Sequence, residues 1–167
     1  LFKMAGLGLY DVEQIPVQGG SLRIFVSHQN VFPVSEAVKN ITARELAAGF
    51  DKIETYQRMG ASVNNLKDKL ISVLAKIKSE GKSIAAYSAP AKGNILLNYF
   101  GLKNYLDFIV DKSPAKQGLY TPGTHFLVHP IEEIYKRKPD YLLVLCWNIF
   151  EEVANMPELQ EFKRSGG

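Results

Sequence analysis

The chain has 167 residues, 46% hydrophobic and 22% charged, the composition of a globular domain with its own core, and at about 100–200 residues per domain two large domains are excluded. Twenty Lys and Arg against seventeen Asp and Glu leave a net charge of +3 with no dense basic tract, so nucleic acid is not the expected partner. A single cysteine, Cys146, excludes an internal disulfide framework and a cysteine-cluster metal site, and it points to a reducing compartment, the cytoplasm.

No charged segment leading into an apolar run marks a secretory signal after Leu1, and the apolar runs fall far short of the roughly 18–20 residues of a membrane span. Opening on Leu1-Phe2-Lys3-Met4 and closing on Ser165-Gly166-Gly167, the chain reads as a piece of a longer one. Leu9 to Ile15 and Leu22 to Val26 read as two strands, and Gly19-Gly20 between them signals a tight turn, so an antiparallel pair is expected. His28 to about Asn40, with Pro33 inside, has no firm periodicity and reads as a linker. From Thr42 the pattern turns helical: Glu45 stands three residues on, as in a capping box, and Leu46, Phe50, Ile53 and Tyr56 recur at helical spacing until Gly60 interrupts them. A second helix follows, with Val63, Leu66, Leu70, Leu74 and Ile77 on one core-facing stripe and Gly81 as its stop.

Beyond Gly81, three short continuous apolar runs appear, at residues 83–87, 107–110 and 141–145. Continuous runs suit strands covered on both faces, as in a parallel sheet. Helices are expected over 93–100, from Pro130 to about Tyr135, from Asn148 to Ala154 and after Pro157, with a further strand at 126–128. The alternation predicts a Rossmann-like three-layer α/β sandwich with a mostly parallel sheet.

In such sheets ligands bind outside the carboxyl ends of the strands. After the first run stands Tyr87-Ser88-Ala89-Pro90-Ala91-Lys92-Gly93-Asn94, where small residues allow close backbone approach and a helix start offers free N–H groups to an anion beside the Lys92 charge. After the second, Asp111 lies 23 positions beyond Ser88, near the spacing at which a Rossmann acid meets a ribose hydroxyl, and Lys116 follows it. The competing structural reading makes Asp111 the cap of its own turn and leaves Lys92 merely solvated. Residues 120–125 read as a rigid turn able to wall a pocket. After the third run, Trp147 can stack on a ring and Asn148 can cap the last helix. His28, His125 and His129 have no metal-ligand spacing, and Cys146 reads as an inert buried thiol.

Taken together in order, Gln18-Gly19-Gly20-Ser21-Leu22-Arg23, Gly81-Lys82, the segments 87–94 and 110–118, Pro122-Gly123-Thr124-His125, Pro139-Asp140-Tyr141 and Trp147-Asn148 resemble the C-terminal domain of S-adenosylmethionine-dependent sugar C-methyltransferases over nearly the whole chain. The resemblance implies that residues 1–30 are the closing hairpin of a methyltransferase domain, 31–40 a linker, and 41–167 the Rossmann-like domain, which packs on its own upstream methyltransferase domain. It implies a nucleotide-linked keto-sugar substrate, contacted here by Ser88, Lys92, Gly93, Asn94, Asp111 and Lys116. It also implies that S-adenosylmethionine is bound upstream of this chain, which holds no catalytic residue, no metal and no cofactor by itself. In such a reaction a proton is removed beside the ketone, giving an enolate carbon nucleophile that takes the methyl group, and the base is expected upstream. This chain has Gln18 where the family often has His, which removes a group that titrates near neutral pH, and Ser88 where Gly commonly follows the strand tyrosine. The alternative is a non-catalytic domain that binds a nucleotide or a protein partner. An NAD-dependent oxidoreductase is the poorest reading, because the glycine fingerprint is missing.

Overall fold

A computed structural model describes residues 1–164. The chain divides into two compact units, Leu1–Val63 and Asn64–Gly167.

In the first unit, strands β1 (Leu7–Ile15) and β2 (Ser21–His28) pair antiparallel, as the Gly-Gly signal predicts. The turn needs left-handed backbone at Gln18 (φ 57°) and Gly19 (φ 84°), which glycine supplies without steric cost and Gln18 does not. The pairing slips between Leu9 and Asp11, so Tyr10 is the extra residue of a bulge, and its ring packs on Phe32 with centroids 4.7 Å apart. The Tyr10 carbonyl accepts from the Ser35 N–H at 2.8 Å, and one residue later helix α1 (Glu36–Ala47) begins.

That start corrects two expectations. The helix opens inside the segment read as linker, because the Ser35 side chain accepts from the Val38 N–H and caps it, while Thr42 and Glu45 lie within the helix. The break comes at Gly49, whose φ of 73° terminates α1 through bonds from Gly49 to Leu46 and from Phe50 to Glu45. Gly60 interrupts nothing: it sits inside the 27-residue helix α2 (Ile53–Ser79), which tolerates one isolated glycine at a cost of about 1 kcal/mol. The expected core stripe of α2 holds only in its later part. Leu74 is buried and Leu70 and Ile77 are partly so, whereas Leu66 is 58% exposed.

The second unit carries a four-stranded, all-parallel sheet in the order β5-β4-β3-β6, with β3 (Ile84–Tyr87), β4 (Phe108–Val110), β5 (Val128–His129) and β6 (Tyr141–Val144). Helix α3 (Ala91–Phe100) joins β3 to β4, helix α4 (Glu132–Arg137) joins β5 to β6, and α5 (Phe150–Ala154) and α6 (Pro157–Arg164) follow. This is the Rossmann-like α/β arrangement. One cluster gathers Ala85, Tyr87, Phe108, Val110, Ile134, Cys146, Val153, Leu159 and Phe162. Ile84, Ala86 and Ile109, on the opposite strand faces by alternation, are buried as well, which is why these strands read as unbroken apolar runs. The fourth strand sits slightly later than the expected 126–128, and Leu127 instead bridges Tyr120.

Aspartates fix the strand starts. Asp107 Oδ2 accepts from the Ile84 N–H at 2.7 Å, and Asp140 Oδ2 accepts from both the Ser83 N–H and the Ser83 hydroxyl at 2.7 Å.

Candidate functional site

Strand order reverses at β3: the chain leaves it for β4 on one side and returns to β6 on the other. The carboxyl ends of these three strands define the crevice where α/β sheets bind ligands. Ser88 leaves β3 with φ 72°, a left-handed conformation that costs a serine about 1–2 kcal/mol, and donates its N–H to the Val110 carbonyl at 2.8 Å. Pro90 then stands immediately before α3, whose first turn is Ala91 to Asn94.

Gly93 is required by space. A Cβ there would lie 2.9 Å from Leu145 Cβ and 2.9 Å from Pro90 Cδ, so glycine lets α3 approach the end of β6. Lys92 leans the same way: its ammonium stands 5.3 Å from the centroid of the half-exposed Trp147 ring and donates to Asn148 Oδ1. Asn148, expected to cap the last helix, stands one residue before Ile149, which holds the N-cap position of α5. The Asn94 amide oxygen is buried without a partner, an acceptor held in reserve on the first turn of α3.

Asp111 follows β4 and is 5% exposed. Its Oδ2 accepts from the Ala89 N–H at 2.7 Å, the Lys116 ammonium at 3.0 Å and the Ser88 hydroxyl at 3.2 Å, and its Oδ1 accepts from the Ser113 N–H at 2.8 Å. Burial works to raise its pKa, but the Ala89 and Ser113 N–H bonds and the Lys116 charge outweigh burial and hold the carboxyl below the ordinary range. The Asp111 carbonyl also accepts from the Gln117 side chain at 2.9 Å. Of the residues singled out from sequence, Ser88, Asp111 and Lys116 thus share one hydrogen-bonded cluster. Lys92, Gly93 and Asn94 occupy the adjoining first turn of α3.

The sequence reading missed the Ala89 and Ser113 N–H groups. The second had a signal in Asp111-Lys112-Ser113, an Asp whose side chain bonds the N–H two residues on. It also missed Asn98, which donates to the carbonyls of Asn94 and Pro122 and pins the expected rigid turn onto α3. Gly123 in that turn (φ 77°) leaves no room for a Cβ beside Asn98. Thr121 and Thr124, both buried, share a hydrogen bond inside it, and His125 follows with φ 56°. Burial pushes the Cys146 thiol up. Among the described residues no group of three or more His, Cys, Asp and Glu side chains could hold a metal ion.

A family profile described as C-methyltransferase C-terminal domain matches residues 16–167. The C-methyltransferase NovU of Streptomyces niveus is 30% identical over 169 residues, an alignment that takes in 100% of this chain and 40% of that protein. The chain therefore spans 40% of the length of the curated relative it matches. With the profile covering residues 16–167, this chain belongs to the C-methyltransferase C-terminal domain family.

Proposed function

We propose that this chain is the substrate platform of a C-methyltransferase acting on a nucleotide-linked keto-sugar, and that it is not catalytic alone. The observation that carries the reading is the first turn of α3, which presents free N–H groups at the sheet's switch point with Lys92 on that turn and Lys116 beyond β4. Helix N–H groups, the positive end of the helix dipole and ammonium groups suit the diphosphate of a nucleotide sugar. In this reading Ser88, Lys92, Gly93 and Asn94 meet phosphate or ribose, Lys116 borders the site from its ion pair with Asp111, and the half-exposed Trp147 offers a stacking face.

S-adenosylmethionine supplies an electrophilic methyl group when bound, and the donor set of this site does not fit it. The sulfonium is cationic, as are Lys92 and Lys116, and the Asp111 carboxylate is already committed to four donors. The methyl donor and the base belong, in this reading, to the upstream part of the protein, whose methyltransferase sheet the hairpin of residues 1–30 closes and on which the Rossmann-like domain packs. The task left to this chain is to bind and orient the nucleotide end of the substrate. A cytoplasmic setting accords with a single free cysteine, Cys146, and no helix among the described residues is long and apolar enough to cross a membrane.

Calorimetry with uridine diphosphate-glucose tests the reading. Lys92→Ala is expected to weaken binding roughly tenfold or more, the value of a lost charge-assisted hydrogen bond of about 1.5–3 kcal/mol. Unchanged affinity would remove Lys92 from the site.

A further inference from the structure

We infer that Asp111 is a positioning residue of the nucleotide site and not its ribose ligand. This rests on the reading of the α3 first turn as a phosphate site. At its distance of 23 residues from Ser88, an acid in a Rossmann fold is expected to accept a hydrogen bond from the ribose 2′-hydroxyl.

Geometry assigns this carboxylate elsewhere. Oδ2 already takes three donors, from Ala89, Lys116 and Ser88, and Oδ1 takes the Ser113 N–H, all within 3.2 Å and with the side chain 6% exposed. To reach a sugar, the carboxylate has to abandon the buried Ala89 N–H and the part-buried Ser113 N–H, and an unsatisfied buried donor is expensive. Its charge is also spent. A free carboxylate beside a diphosphate would repel it, whereas one neutralised by an ammonium and three further donors does not. What the four bonds accomplish is mechanical: Ser88 and Ala89 belong to the turn between β3 and α3, and Ser113 and Lys116 to the loop after β4. One side chain therefore ties together the two loops that frame the anion site. It also holds Ser88 in its left-handed conformation.

Titration calorimetry on this chain with uridine diphosphate and with 2′-deoxyuridine diphosphate reads the inference directly. Asp111→Asn, which puts an amide donor against the donors on one side of the carboxylate, should weaken both by the same factor of roughly tenfold or more. Asp111→Glu, which keeps the charge but lengthens the arm by a methylene, should weaken both equally. Ile134→Val, a core change distant in sequence from both loops, should lower the unfolding midpoint and leave affinity unchanged, separating positioning from general stability. A loss in Asp111→Asn confined to uridine diphosphate would make Asp111 a ribose ligand. Unchanged affinity in both Asp111 variants would overturn the positioning role alone. If the native chain binds neither nucleotide, the phosphate-site reading falls and takes this inference with it. Should Asp111→Asn fail to fold, the same comparison of the two nucleotides on Asp111→Glu decides.

Discussion

Two glycine-to-alanine substitutions on helices should move stability in opposite directions. In a helix interior, replacing glycine by alanine ordinarily stabilises by about 0.5–1 kcal/mol, because the unfolded chain loses freedom. At Gly60, two turns into α2, nothing lies within 4 Å of the position a Cβ would take, so Gly60→Ala should realise that gain. At Gly93 the Cβ would come within 2.9 Å of both Leu145 Cβ and Pro90 Cδ, neither of which is the far end of a flexible chain. Overpacking of this kind costs about 1–3 kcal/mol, so after the helical gain Gly93→Ala should lose about 1–2 kcal/mol. In a chain of this size that is a fall of roughly 2–8 °C in Tm, read by far-ultraviolet circular dichroism, against a rise of up to about 4 °C for Gly60→Ala. Pushing α3 away from β6 should also weaken nucleotide binding in Gly93→Ala. The reasoning is refuted if Gly93→Ala is as stable as the native protein, since the close approach of α3 would then not depend on glycine.

Asp111→Asn should destabilise the second unit by about 1.5–3 kcal/mol in chemical denaturation, because a buried carboxylate with four donors is replaced by a group that mismatches them. Because its folded pKa lies below its unfolded value, Asp111 contributes stability above about pH 4, and that stability is lost as pH falls through the folded pKa. Unfolding midpoints measured from pH 7 down to pH 2 should therefore fall less steeply in Asp111→Asn than in the native chain. At Ser88, where φ is 72°, glycine should be tolerated within about 1 kcal/mol while Ser88→Val costs about 1–3 kcal/mol, and equal midpoints for the two variants would contradict the left-handed turn. Burial raises the Cys146 thiol pKa, so its reaction with a disulfide reagent at neutral pH should be slow in the native protein and complete in denaturant.

The parallel sheet was legible in sequence because both strand faces are buried. Ile84-Ala85-Ala86-Tyr87 and Phe108-Ile109-Val110 are unbroken apolar runs for that reason. The hairpin was legible through Gly19-Gly20, where backbone geometry restricts residue choice. Helix boundaries were less so. Thr42 with Glu45 has the letters of a capping box, but Ser35, two residues after Pro33, offers a cap first, and a helix once nucleated runs through an internal Thr. Gly60 and Gly49 are the same residue type, and only the left-handed φ at Gly49 makes it a stop. At the candidate site, position along the strands was readable while partnership was not. Asp111 stands at the expected place, yet its donors come from turns brought close only by folding, and Lys92 meets Asn148 across 56 residues of sequence.

The aspartates at the strand ends bear on how such a sheet finds its alignment. Strands of two to four residues offer few ladder bonds, and their partners lie tens of residues apart in sequence, so a sheet slipped by one residue would lose little main-chain bonding. Asp107 and Asp140 meet the Ile84 and Ser83 N–H groups at one end of β3, and Asp111 meets the Ala89 N–H at the other. Each bond closes only in the native alignment. A slipped sheet would have to hold carboxylates away from the donors they meet in the native alignment, so these three side chains favour that alignment over its neighbours.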